Sequence, residues 1–236
     1  MRHRNQSLPR AGLLASAMFF SAAILLLVAQ SASAHQPNLI GTLTHIEVLE
    51  PEVSKAYYAE LPGEPAVYEI RSNEPFVLYV NILAPDIPGA STDFTVEIFK
   101  DGKLFAALDS TMQEWQRFYE PFGGDSYLQG PVYKNRVGGG AYDIRVSNPA
   151  RAGKYVLAVG EREEFPPAKM LHAMLALPRL KKDFFGKSPW TALNSRIGVF
   201  LLAFIGVIAV VGLSVYAIAR RARRARRRAE RPSASP

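Results

Sequence analysis

The chain has no cysteine and only four histidines in 236 residues. The first absence excludes a thiol nucleophile, a cysteine-ligated zinc and an iron–sulfur cluster. Catalytic signatures are missing as well: there is no G-x-S-x-G elbow, no H-E-x-x-H, no P-loop and no EF-hand loop. The one Asn-x-Ser/Thr sequon, Asn5-Gln6-Ser7, falls at the extreme N-terminus. Acids are scarce late in the chain. Between Ala168 and Arg196, Asp183 stands alone against six Lys/Arg, a net of +5.

What is present is clearest at the C-terminal end. Ile197 to Ala219 carries no charge and is followed by eight arginines between Arg220 and Arg231. At 1.5 Å per residue such a helix is about 34 Å long, enough to cross a hydrocarbon core of about 30 Å. Its backbone would be satisfied internally, as lipid requires. The arginine run marks the cytoplasmic side, because short positive flanks resist translocation. The N-terminus agrees: Arg2, Arg4 and Arg10 precede an apolar stretch, Ala11–Ala29, and Ala32 and Ala34 form an A-x-A site. Cleavage is expected after Ala34, leaving His35 as the mature N-terminus. No twin-Arg pair precedes the apolar run, which favours the general secretory route. With neither disulfides nor a sequon in the mature chain, a prokaryotic cell envelope fits better than a eukaryotic secretory pathway.

The formal charge of +7 conceals a division. Residues 35–167 hold 11 Lys/Arg against 19 Asp/Glu, a net of −8. The outer part is acidic, the stretch before the span basic, and the tail strongly basic. Anionic lipid headgroups are the expected partners of the tail. No folded basic surface with interleaved aromatics accompanies it, so nucleic acid is not an expected partner. The domains expected are a cleaved signal peptide (1–34), an extracytoplasmic domain (35–165), a basic juxtamembrane stalk (166–196), a transmembrane helix (197–219) and a cytoplasmic tail (220–236).

Between His35 and Gly160, short β-branched and aromatic runs alternate with Pro and Gly. Strands are expected at Thr42–Leu49, Ala66–Ile70, Phe76–Leu83, Phe94–Phe99, Leu104–Leu108, Val132–Val137, Ala141–Ser147 and Lys154–Val159. Period-2 alternation puts Phe94, Val96 and Ile98 on one face, and likewise Tyr142, Ile144 and Val146. Asp101-Gly102 is a hairpin turn signal. About eight strands with regular turns predict an all-β, antiparallel β-sandwich. One short helix is expected around Val53–Glu60. Residues 168–196 mix cations with Phe184, Phe185 and Trp190 and read as an interfacial stalk on the outer leaflet. The alternative is a helix packed on the sandwich, since both uses need the same apolar stripe.

Gly140-Ala-Tyr-Asp-Ile-Arg-Val-Ser-Asn-Pro149, followed by Gly153-Lys-Tyr-Val-Leu-Ala-Val-Gly160, resembles the closing hairpin of bacterial pre-peptidase C-terminal type domains. That resemblance covers about twenty residues and implies a sandwich fold, and for such domains a role in binding or positioning without catalysis. Ser54-Lys-Ala-Tyr-Tyr58 and the stretch around Tyr119 fall outside it. They resemble a membrane-anchored prokaryotic family of uncharacterised function.

Two groups of residues are candidates for chemistry. A mature N-terminal His35 presents an α-amine and an imidazole together, and with His45 these would supply the three nitrogens of a copper brace. Copper is the one metal this pattern suggests, and an ordinary surface His45 is the alternative. Met170-Leu-His172-Ala-Met174 has soft ligands for Cu(I), but at helical spacing His172 leaves the methionine face. The second group is Trp115 to Tyr133, six aromatics broken by Pro and Gly. Tyr119, Phe122, Asp125 and Tyr127 are the candidate binding residues, with an envelope protein or a glycan as ligand. Trp115 is expected to plug the core. Asp86, Asp93, Asp101 and Asp125 read as turn residues before calcium ligands. The expected function is a single-pass, membrane-anchored extracytoplasmic binding or adaptor module, non-catalytic and with no cofactor unless copper. The alternatives are a copper-binding domain and an accessory subunit of an envelope enzyme or an unrecognised hydrolase.

Overall fold

The structure is a computed structural model and describes residues 35–110, 114–164 and 166–229. The expected signal peptide and residues 230–236 of the arginine tail lie outside the described residues. The described chain divides into a compact unit ending at Ile197 and the helix that continues from Gly198.

The compact unit is mostly β, with eleven strands among the described residues. They are β1 (Gln36–Gly41), β2 (His45–Glu47), β3 (Lys55–Pro62), β4 (Ala66–Ser72), β5 (Phe76–Pro85) and β6 (Thr95–Lys100). Then follow β7 (Lys103–Asp109), β8 (Gln116–Glu120), β9 (Asp125–Val137), β10 (Gly140–Ser147) and β11 (Ala152–Val159). One sheet has six strands in the order β1-β3-β11-β5-β9-β8, the other five in the order β2-β4-β10-β6-β7. The pairs β1–β3 and β2–β4 are parallel and the rest antiparallel, so the purely antiparallel expectation is corrected at one edge of each sheet. The chain from Gln36 to Glu47 supplies both of those edge strands.

The two sheets share one core. Tyr68, Ile70, Val96, Ile98, Ile144 and Val146 of the five-stranded sheet cluster with Leu78, Val80, Ile82, Tyr155, Leu157 and Val159 of the six-stranded one. The alternation read in β6 and β10 is therefore present, with Phe94, Val96, Ile98, Tyr142, Ile144 and Val146 all fully buried. Tyr68 and Tyr155 share a hydroxyl–hydroxyl hydrogen bond of 3.0 Å at the centre. That contact satisfies two groups whose burial without partners would cost roughly 1–3 kcal/mol each. Asp101 and Gly102 both take positive φ, 48° and 77°, as the β6–β7 hairpin requires. Gly160 ends β11 at φ +78°, and a Cβ there would sit 2.4 Å from the Val53 carbonyl oxygen. That close approach admits glycine alone.

The helix expected around Val53–Glu60 is instead strand β3. The reason is two-sided burial: Tyr57 and Ala59 face the shared core while Ala56 and Tyr58 face a second cluster on the outer side of the sheet. A strand buried on both faces loses its polar alternation. The run Ala56-Tyr-Tyr-Ala59 was misread for that reason.

Considered alone, the C-terminal helix runs Arg196–Ala229. It is the one helix among the described residues that is long and apolar enough to cross a membrane. The expected span, 197–219, lies within it, and side chains such as Leu202, Phe204, Ile205 and Ile208 are exposed.

Candidate binding pocket beneath a helical cap

The outer face of the six-stranded sheet is apolar and covered. After β11 the chain forms a cap of three pieces: a helix (Pro167–Arg179), a π-helical turn (Leu180–Phe184) and a 3₁₀ turn (Pro189–Asn194). Proline opens the cap helix where its missing N–H is harmless. Ala173, Leu177, Leu180, Phe184 and Phe185 bury themselves against Ala56, Tyr58, Leu83, Tyr127, Val156 and Ala158. The segment expected to lie on the membrane as a stalk thus packs on the sheet, the alternative reading of the same apolar stripe. Leu171, Leu175 and Trp190 remain exposed on the cap.

Polar contacts fix the register of the cap. Lys181 is 1% exposed and donates to the Gly123 carbonyl (2.6 Å), the Gly124 carbonyl (3.2 Å) and Asp125 Oδ2 (2.7 Å). Lys187 donates to Asp125 Oδ1 at 2.9 Å. Lys154 of β11 donates to the Asp183 and Phe184 carbonyls of the π turn at 2.6 and 3.2 Å. The Ile197 N–H reaches the Phe122 carbonyl at 3.3 Å. Rings interlock alongside these contacts: Tyr58 meets Phe184 edge-on at 5.2 Å and Tyr127 meets Phe185 at 5.4 Å.

A pocket of about 180 Å³ remains between sheet and cap. Ala56, Leu83, Val156, Ala158, Ala176 and Leu177 give it apolar walls. Five aromatic rings line it: Tyr58, Tyr79, Phe118, Phe122 and Tyr127. Its polar groups are Asn81, Gln129, His35 and Glu120. Glu120 closes strand β8, and its carboxylate accepts the Phe122 N–H at 2.6 Å and the Gly123 N–H at 2.7 Å. Burial raises the Glu120 pKa above its ordinary value against the pull of those two donors, with Asp125 adding to the rise and Lys181 opposing it. Burial lowers the His35 pKa, opposed by Glu163 and Glu161, so its ring favours the neutral form; it hydrogen-bonds the Ser54 hydroxyl. Tyr58 and Tyr127 share a hydroxyl–hydroxyl bond of 3.0 Å, and burial raises the pKa of each.

The residues singled out in the sequence divide. Phe122 and Tyr127 line the pocket together with His35. Tyr127 is 3% exposed, so its expected surface position is corrected: β9 turns it under the cap. Asp125 is 1% exposed and engaged by two lysines, a partner of the cap and not a turn residue at the surface. Tyr119 is exposed on β8 and does not line the pocket. The aromatic segment itself, in which no strand is expected before Val132, forms a β8–β9 hairpin. Trp115 packs half-buried against the core, over Gly130, with its indole N–H on the Ser110 carbonyl at 3.1 Å. His35 and His45 are not brought together. His45 is exposed on β2 of the five-stranded sheet, whereas His35 precedes β1 of the six-stranded one. Among the described residues no cluster of three or more His, Asp or Glu is placed to hold a metal ion. Met170's side chain lies outside the described residues. Glu120, Tyr58 and Lys181 were missed. Glu120 ahead of Pro-Phe-Gly-Gly was the available signal, a carboxylate set to accept the N–H groups of a following turn.

No family model matches the chain, and no curated protein matches it. Solved structures give loose likenesses. A pre-peptidase C-terminal domain of collagenase from Bacillus anthracis aligns at 13% identity over 55% of this chain and 99% of that one, with a TM-score of 0.29. A β-glucosidase from Paenibacillus barengoltzii aligns at 11% identity over 55% of this chain and 14% of that one, with a TM-score of 0.25. A cycloisomaltooligosaccharide glucanotransferase from Paenibacillus sp. aligns at 16% identity over 50% and 16%, with a TM-score of 0.25. Likenesses this loose carry no argument about fold or activity.

Proposed function

We propose that this chain is a single-pass, membrane-tethered binding module: a β-sandwich held outside the cytoplasm, with a small-ligand pocket between its six-stranded sheet and its helical cap. The single observation that supports the reading is the pocket itself, about 180 Å³ of apolar and aromatic lining around a few polar groups. Binding sites have that composition, with apolar walls for affinity and sparse polar groups for orientation. Its volume compares with the roughly 150 Å³ of an engineered cavity that takes up benzene. The arginines after Ala219 and the A-x-A site at Ala32–Ala34 support the orientation. A two-histidine copper site does not form part of this reading, since His35 precedes β1 of the six-stranded sheet and His45 lies on β2 of the five-stranded one.

Both hydrophobic clusters are built from residues between Ile46 and Ile197, so a fragment 35–197 carries its own core and is the form to test. Titrating toluene into the isotopically labelled fragment is expected to shift amides of Gly123, Ala158 and Leu177 at a single site. Ala176→Phe, which fills the pocket from the half-buried side of the cap helix, is expected to abolish those shifts. Shifts scattered over the surface, or equal binding by the filled variant, would refute the pocket as the site.

A further inference from the structure

Resting on that reading, we infer that the pocket selects an organic cation: an alkylated ammonium with a compact apolar body, its nitrogen at Glu120 and among the aromatic rings. Three features of the lining converge on this class. The rings of Tyr58, Tyr79, Phe118, Phe122 and Tyr127 line a space the size of one small molecule. Aromatic faces carry the negative end of the ring quadrupole and attract cations, most strongly where water is excluded. Glu120 adds the one carboxylate of the lining, and no lysine or arginine lines the pocket to neutralise it. The nearby cations are engaged elsewhere: the three donors of Lys181 meet Gly123, Gly124 and Asp125, and Lys187 meets Asp125.

Other ligand classes fit worse. An anion would meet the Glu120 carboxylate with no lysine or arginine in the lining, and burial favours the neutral His35 ring. A neutral hydrocarbon would fill the volume but leave a half-buried carboxylate whose hydrogen bonds are two backbone N–H groups and whose nearest cation, Lys181, is committed to Asp125. A strongly hydrated metal ion needs several oxygen ligands, and no cluster of three exists among the described residues. An alkylated ammonium is weakly hydrated, matches the rings and supplies the missing counter-charge. The same chemistry occurs on a free quaternary amine and on a phosphocholine lipid headgroup, and the experiment separates the two.

The test compares choline with its neutral isostere 3,3-dimethylbutan-1-ol, titrated into the 35–197 fragment by calorimetry and amide shifts. Choline is expected to bind at least about tenfold tighter, the span of a desolvated cation–π contact. Glu120→Gln is expected to remove that preference while leaving isostere binding intact. Should Glu120→Gln disturb the Pro121–Gly124 turn, seen as a fall in melting temperature, Phe118→Leu serves instead. Phe118 is 41% exposed on the edge strand, and losing its ring is expected to weaken choline several-fold and the isostere little. Choline does not titrate, so its affinity is expected to fall as pH drops through the raised Glu120 range. Asp125, Lys181, Tyr58 and Tyr127 interact with Glu120, His35 and Tyr79 line the same pocket, and Lys187 reaches Asp125. Flattening of the profile in Glu120→Gln assigns the effect to that carboxylate. Sedimentation with phosphatidylcholine against phosphatidylglycerol vesicles identifies the source: Glu120-dependent capture by the former points to a headgroup, and choline binding without capture to a free amine. Equal affinity for choline and isostere, or toluene binding without choline binding, overturns charge selection and leaves the pocket reading standing. Failure of all three probes overturns both.

Discussion

Replacing Lys181 by methionine removes one charge from a buried pair and leaves three acceptors without their donor. Lys181 and Asp125 have side chains 1% and 0% exposed, and their atoms are 2.7 Å apart. Breaking such a pair by deleting one partner costs about 3–5 kcal/mol, because the remaining charge stays desolvated. Lys187 still reaches Asp125 Oδ1 at 2.9 Å in the variant, though its own side chain is 42% exposed and screened. The lower end, about 3 kcal/mol, is therefore expected. For a unit of this length that corresponds to a fall in melting temperature of about 6–12 °C. Thermal and urea unfolding of the 35–197 fragment measure it, and protease susceptibility between residues 166 and 196 reports whether the cap lifts first. The double variant Lys181→Met with Asp125→Leu is expected to regain most of the loss, since replacing both members of a buried pair by apolar groups is commonly neutral or better. A single-variant loss below about 1 kcal/mol, or a double variant no more stable than the single, would refute the assignment of the pair as the fastening of the cap.

Tyr119→Ala is expected to change stability by no more than about 0.5 kcal/mol, as for a surface side chain, while Tyr127→Ala loses about 3–5 kcal/mol through the cavity it leaves; urea unfolding separates them. Because burial raises Glu120 above its unfolded pKa, its protonated form contributes stability that is fully present below about pH 4.5 and is lost as pH rises through the raised folded value. Wild type should therefore lose stability relative to Glu120→Gln as pH rises above about 4.5, and parallel profiles would contradict this. His45→Ala is expected to leave Cu(II) affinity of protein beginning at His35 unchanged, as measured by calorimetry, because His35 precedes β1 of one sheet and His45 lies on β2 of the other. In spheroplasts, added protease should reach the Asp86 loop and spare a tag placed after Pro236; the reverse pattern would invert the proposed orientation.

Strands with one face in the core and one in water were legible through their alternation. β6 and β10 show it: Val96, Ile98, Ile144 and Val146 are buried, while Arg145 between them is exposed. β3 was illegible because the cap buries its outer face too, which removes the polar alternation the eye follows. β8 was illegible for the opposite reason. It is an exposed edge strand with four of five residues in solvent, and no apolar period marks it. The pocket was half legible. Aromatic density drew attention to Phe122 and Tyr127, but the Lys181–Asp125 pair joins positions 56 residues apart, and local pattern carries no trace of it. The cations before the span read equally well as headgroup partners until the fold turned Lys181 inward.

The small residues around the pocket keep its space open. Ala56 and Ala158 on the sheet face Ala173 and Ala176 on the cap helix, and all four line the pocket. Larger apolar residues at these positions would close the space with the backbone unchanged. A dry void of this size costs about 4 kcal/mol at roughly 24 cal/mol per Å³. The pocket is partly open, so water lowers that figure, but the shared core elsewhere in the unit holds large, fully buried side chains, Tyr68, Phe94, Tyr142 and Tyr155 among them. Beside the same space, the cap is fastened by a buried ion pair, an arrangement that fixes register more than it stabilises. Stability alone would favour the reverse on both counts: a filled pocket and an apolar fastening. Four alanines around a carboxylate and a cap pinned in one register are what the proposed binding role calls for.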